Sequence, residues 1–211
     1  MTLNTDFAAH VFVPNARSVG NSTGSASFSG KSEAEDLEEL TQWCVNKVGN
    51  VECVAILVRL EFLTNTDRTY SHVHLVRTFQ GYSHGSLLVS RHPVLPSPMR
   101  TYHVLLSYPL SPLPLLTFFH GSTYREQLSQ LVRNPQAHIL IIYGDKDQFT
   151  SSDNYQIWTN NLQTTQTTPG AAIETRMVPG ADHFWRARFN RQMKEIISSW
   201  LQQHESRATS T

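Results

Sequence analysis

Apolar and polar positions along the chain change period several times, and the changes mark out elements. His10-Val11-Phe12-Val13 is a short strand-like run. The stretch from Asn15 to Gly30, rich in Ser and Gly, reads as a loop. From Ser32 the period becomes helical. Leu37, Leu40, Cys44 and Val48 form one stripe, Ser32 and Glu35 make a capping box, and Gly49 is the stop signal. Cys53 to Leu57 predicts a buried strand, and Tyr102 to Tyr108 another after a Pro-punctuated segment. Tyr124 to Val132 predicts a helix with Leu128, Leu131 and Val132 inward. His138 to Tyr143 predicts a strand, and Ser151 or Ser152 caps a helix carrying Tyr155, Trp158 and Leu162. Ile173, Thr175 and Met177 alternate with Glu174, Arg176 and Val178, as in a half-exposed strand. In the last helix Phe189, Met193, Ile196, Ile197, Trp200 and Leu201 share one face. Helices alternating with strands predict an α/β domain over residues 1–211, built on a doubly wound, mostly parallel sheet. Such sheets carry their sites at the carboxyl ends of the strands.

Charge and composition narrow the partners. The 17 basic and 17 acidic residues cancel, which argues against a nucleic-acid partner, since that needs a basic surface. Ten histidines are scattered without metal-ligand spacing, and no cofactor motif is present, so neither metal nor cofactor is expected. Ser25 to Ser32 approaches a phosphate-loop pattern, but its first position is serine and no strand leads into it. Cys44 and Cys53 form no C-x-x-C and read as small buried residues of a reducing compartment. With no leader pattern and no run approaching the ~18 apolar residues of a membrane span, the expectation is a cytoplasmic protein with no membrane partner.

The chemistry is concentrated in three places. Gly81-Tyr82-Ser83-His84-Gly85 fits G-x-S-x-G, the sharp strand-to-helix turn that lifts a serine hydroxyl above a parallel sheet. Gly144-Asp145-Lys146-Asp147 follows the apolar run from Ile139 to Tyr143, and Asp182-His183-Phe184 follows the strand from Ile173. A serine hydroxyl is a poor nucleophile at neutral pH and needs a base to take its proton. His183 is the candidate base. Asp147 is the candidate acid that fixes its tautomer, with Asp145 or Asp153 as substitutes and Asp182 read as a solvated neighbour. The backbone N–H of His84 is the candidate oxyanion donor. The bland readings are a turn serine, an aspartate closing a local turn and a loop histidine.

At these residues the chain resembles the α/β-hydrolase superfamily, and within it the small dienelactone-hydrolase-like hydrolases, fungal members included. The matching segments are residues 15–22, Gly81 to Gly85, Leu106-Ser107-Tyr108-Pro109, Tyr143 to Phe149, and Gly180 to Trp185. The resemblance implies Ser83 as nucleophile, Asp147 as acid and His183 as base. It also implies a serine hydrolase acting on an ester, thioester or related acyl bond of a small molecule. The alternatives are a weak or inactive truncated relative, or an accessory hydrolase or isomerase of a biosynthetic pathway. The pattern departs from the family in two ways. Only nine residues precede the His10 to Val13 run, so the fold is expected to lack its first strands and the loop that donates the second oxyanion N–H. In the family the strand also runs directly into the serine turn, whereas here Val58 to Gln80 intervenes, 23 residues. Its borders admit codons GTN and CAG and its length implies 69 in-frame nucleotides, as in a retained intron; a surface excursion is the alternative. A third possibility makes Val73-His74-Leu75-Val76 the strand into the turn.

Overall fold

A computed structural model of the chain describes residues 10, 12, 14–15, 17, 21–25, 27, 30–56, 81–82, 84–111, 121–165 and 172–208. In chain order these form α1 (Lys31–Val48), β1 (Cys53–Ile56), β2 (Gly81–Tyr82), α2 (His84–Arg91), β3 (Arg100–Leu106), α3 (Gly121–Arg133), β4 (Ala137–Lys146), α4 (Ser152–Thr165), β5 (Ala172–Asp182) and α5 (Arg188–Ala208). The sheet runs β1-β3-β4-β5, and β2 pairs with β3 on the edge that β1 also occupies. Every pairing is parallel, so the α/β, doubly wound sheet expected from alternating strands and helices is the one observed.

The core divides at the sheet. On one face Leu87 and Val89 of α2, Leu128, Leu131 and Val132 of α3, and Tyr155 of α4 pack on Leu105, Ile139 and Ile141. Leu37 of α1 joins them from the margin. On the other face Met193, Ile197 and Trp200 of α5 cover Val104, Leu106, Leu140 and Ile142. β4 is apolar on both faces because it is covered on both, which is why Ile139 to Ile142 reads as a continuous rather than an alternating run.

Several local expectations are revised. Helix α1 starts two residues earlier than the capping box predicts, at Lys31. Its N-cap is Gly30, in the left-handed region at φ 65°, with no side-chain cap. Glu33 instead accepts hydrogen bonds from the Ser27 backbone and hydroxyl, so Ser32 and Glu35 do not form the box. β1 is half-exposed rather than buried, with Ala55 facing solvent, because it has β3 on one side and no partner strand on the other among the described residues. His10 and Phe12 are not in strand conformation, while Val11 and Val13 lie outside the described residues. In β5 the alternation breaks, since Met177 is exposed and Val178 buried. Cys44 and Cys53 are free and half-buried. Leu57, Val58 to Gln80 and Val73 to Val76 lie outside the described residues.

Candidate active site

Register places the carboxyl ends of the strands in one row. Tyr82 pairs with Leu106, Leu106 with Ile142, and Ile142 with Arg176. β2 ends at Tyr82 and α2 begins at His84, so the chain passes from strand to helix across one residue, Ser83, itself outside the described residues. Neighbouring strands are about 4.8 Å apart, so the end of β2 stands about 10 Å from the end of β4, with β3 between them. Asp147 follows β4 directly and His183 follows β5 directly.

The loops after β4 and β5 are joined by side chains. His183 Nδ1 donates to Asp147 Oδ2 at 2.7 Å. The other carboxylate oxygen accepts the backbone N–H groups of Phe149 at 2.9 Å and Thr150 at 3.1 Å. Asp147 has a side-chain exposure of 0% and His183 of 5%. Burial alone pushes the Asp147 carboxyl up. The hydrogen bonds from His183, Phe149 and Thr150 outweigh it and hold the group below its usual value. The pair is therefore a buried carboxylate holding an imidazole in the tautomer with its proton on Nδ1, which leaves Nε2 as the basic nitrogen. Tyr155, on α4, donates to the Tyr108 carbonyl at 2.9 Å and lies 3.5 Å from Asp147 Oδ2. Gln148 Oε1 accepts the His183 backbone N–H at 3.1 Å.

A further bond carries the β5 loop back across the sheet. Trp185 Nε1 donates to Ser107 Oγ at 2.9 Å, and Ser107 is the residue that follows β3. The segment from His183 to Trp185 thus reaches past the end of β4 to the end of β3, the strand on which β2 is paired. Ser107, Trp185 and Ala187 sit in the left-handed region, at φ 47°, 47° and 49°. Non-glycine residues are uncommon there, and three around one loop mark a backbone held by its surroundings. From the α2 side, Ser86 Oγ donates to the Leu106 carbonyl at 2.7 Å and fixes the helix to the same strand end. Two exposed aromatic rings border the histidine. Phe149 meets His183 edge-on at 4.5 Å between centroids, Phe184 lies at 5.8 Å, and Arg186 covers the Phe184 ring at 4.7 Å.

The structure brings Asp147 and His183 together and sends the other aspartates elsewhere. Asp145 Oδ1 accepts the Gly180 N–H at 2.6 Å, Asp182 Oδ1 accepts the Phe184 N–H at 3.0 Å, and Asp153 is exposed in the first turn of α4. His84 opens α2 and is half-buried, and burial lowers its ring pKa. The supporting roles of Gln148, Tyr155, Ser107 and Trp185 escape sequence reasoning. Each acts through a contact between segments distant in the chain, although for Gln148 its place one residue past Asp147 is a usable signal. No group of three or more metal-ligating side chains occurs among the described residues. Cys53 is no rival nucleophile, because burial, with the nearby Glu205 carboxylate, pushes its thiol up to about 12. A shallow recess between β5 and α5, lined by Arg176, Glu195 and Trp200, contains none of these residues.

No family model and no curated protein matches the chain. Solved structures do. One is an alpha-beta serine hydrolase homologue from Coxiella burnetii, with 18% identity and a TM-score of 0.54 over 89% of this chain and 66% of that one. Another, from Agrobacterium tumefaciens, is a protein of unknown function assigned to the alpha/beta hydrolases. It has 18% identity and a TM-score of 0.55 over 90% of this chain and 67% of that one. The chain spans about two thirds of the length of each. At this identity the likeness establishes the fold, which is that of the α/β hydrolases.

Proposed function

We propose that the protein is a serine hydrolase that cleaves an ester, thioester or related acyl bond of a small molecule. The observation that carries this reading is the pair of bonds joining the strand ends. His183 is held by buried Asp147, and the same loop is tied by Trp185 to the end of β3, beside the strand-to-helix joint at positions 82 and 84. The dienelactone-hydrolase-like relationship read from the sequence belongs to this proposal, as does a cytoplasmic setting, which suits two free cysteines. No helix among the described residues is long and apolar enough to cross a membrane, and near-zero net charge gives no basis for nucleic-acid binding.

Ser83 Oγ attacks the acyl carbon while His183 Nε2 takes its proton. The carbonyl oxygen becomes an oxyanion that accepts the His84 N–H, at the positive end of α2. Asp147 stabilises the imidazolium without taking its proton. The imidazolium then protonates the departing alkoxide or thiolate, leaving an acyl group on Ser83. Water attacks this ester, giving its proton to His183, and the acid leaves as Ser83 regains a proton. Phe149 and Phe184, each nearly half exposed beside the histidine, offer an apolar surface to the acyl chain or leaving group.

Hydrolysis of p-nitrophenyl esters from acetyl to octanoyl tests the reading. The Ser83→Ala and His183→Ala variants are expected to lose about 10³-fold or more in kcat. The Phe149→Ala variant is expected to lose about tenfold in kcat/KM on octanoyl while acetyl is little changed, the size of about two methylenes of apolar contact. Wild-type rates equal to those of Ser83→Ala would favour the second reading, a weak or inactive relative. The interruption between β1 and β2 just before the serine turn is the observation on its side.

A further inference from the structure

We infer that β1 and β2 are one strand of the sheet interrupted by an added segment, residues 58–80, and that the chain lacking this segment forms the complete strand and serine turn. β1 and β2 lie on the same edge of β3, in the same direction. Ile56 pairs with His103, an offset of 47 residues, and Gly81 pairs with Leu105, an offset of 24. The pairing therefore carries an excess of 23 residues. One position of β3, Val104, separates the two pairings, and one residue is needed to face it. Leu57 fills that place if residues 58–80, numbering 23, are removed.

The sequence bounds the same segment independently. Val54-Ala55-Ile56-Leu57 joined to Gly81-Tyr82-Ser83-His84-Gly85 restores an apolar strand running into G-x-S-x-G. Val58 and Gln80 are the residues whose codons can begin with GT and end with AG, the ends of an unspliced intron, and 23 codons keep the frame. A border displaced by one residue would satisfy neither the codons nor the pairing. The segment carries Arg59, Glu61, Asp67, Arg68, His72, His74 and Arg77, a composition unsuited to the inside of a parallel sheet.

Joining without a shift also preserves the faces of the strand. Ile56 and Leu105 belong to the same core cluster, so the position opposite Leu105 must keep the parity of Ile56. A deletion one residue longer or shorter reverses the parity of Gly81 and Tyr82, because side chains alternate with a period of 2. The elbow would then enter α2 rotated. Removing 23 residues between two segments paired to the same strand also removes the entropy of holding their ends together.

The test compares the full-length protein with three deletions, of residues 58–80, 57–80 and 58–79, by thermal melting and by amide exchange of β3. It reads folding alone and so is separate from the catalytic proposal. The in-register deletion is expected to fold, to melt about 5 °C above the full chain, and to protect the Val104 to Leu106 amides more strongly. The two off-register deletions are expected to melt below it by a comparable margin or to fail to fold. Failure of the 58–80 deletion to fold, melting no higher than the full chain, or parity with the off-register deletions would overturn the inference.

Discussion

Asp147 shows how much of a site depends on the hydrogens aimed at one carboxylate. A buried acid with no donors would rise in pKa and take up a proton. With His183, Phe149 and Thr150 donating to it, it stays charged. The opposite treatment is given to His92, just past α2, and His103 on β3, which are buried with ring centroids 6.2 Å apart. His103 Nε2 donates to the His92 carbonyl at 3.0 Å, and His92 Nδ1 donates to the Pro93 carbonyl at 2.8 Å. Burial lowers His92 to about 4 and His103 to about 3. In the unfolded chain both titrate near the usual value of about 6.5, so below that pH the unfolded state binds the more protons. Their contribution is complete above about pH 6.5 and declines as the pH falls, to about 4 for His92 and about 3 for His103. Each can contribute up to about 1.4 kcal/mol per pH unit in that window. Asp147, shifted down, adds its loss only where the pH approaches the carboxylate range. Urea unfolding is therefore expected to show a midpoint that drops between pH 7 and 5, and a His92→Gln, His103→Gln double variant should have a flatter profile. A wild-type midpoint independent of pH over that range would contradict the assignment.

At the scale of elements, the joint between β4 and β5 positions the base. These two strands pair from His138 with Ala172 to Gly144 with Val178, then slip through an irregularity before Lys146 meets Asp182. At the slip the β5 backbone closes over Gly144, where a β-carbon would overlap the Ala181 carbonyl oxygen. The obstructing atoms are backbone of a paired strand rather than the tip of a flexible side chain, which leaves little room to relax. Gly144→Ala is expected to destabilise the fold by about 3 kcal/mol, near the upper end of overpacking costs, as read by the urea midpoint, and to displace His183. An unchanged midpoint would show that β5 can move away. The elements here were largely legible in the sequence: α3 buries Leu128, Leu131 and Val132, while α4 buries Tyr155 and α5 buries Met193, Ile197 and Trp200, with Trp158, Leu162, Phe189, Ile196 and Leu201 only half-buried against the core. Met177 and Val178 were not, because β5 departs from simple alternation toward the slip. The capping box at Ser32 was overridden by a Ser27 contact from the preceding loop.

For the whole molecule, the arrangement depends on chain order meeting sheet order. Asp147 and His183 are far apart in sequence, and parallel pairing of β4 with β5 delivers them to the same end of the sheet, where the described part of β2 also ends. The meeting of Asp147 with His183 was legible because turn chemistry and strand spacing both appear in the chain, while Ser83, the third member expected there, lies outside the described residues. What was not legible is the set of long-range contacts that orient the pair, Tyr155 under Asp147 and Trp185 on Ser107, since neither side chain is marked by local pattern. The account as a whole rests on Ser83 being a nucleophile activated by His183. Labelling the folded full-length protein with a fluorophosphonate, followed by peptide mapping, tests this most directly. The account predicts a single adduct on Ser83, abolished in Ser83→Ala and strongly slowed in His183→Ala and Asp147→Asn. A folded protein that takes no label, or that keeps its adduct in Ser83→Ala, would contradict it.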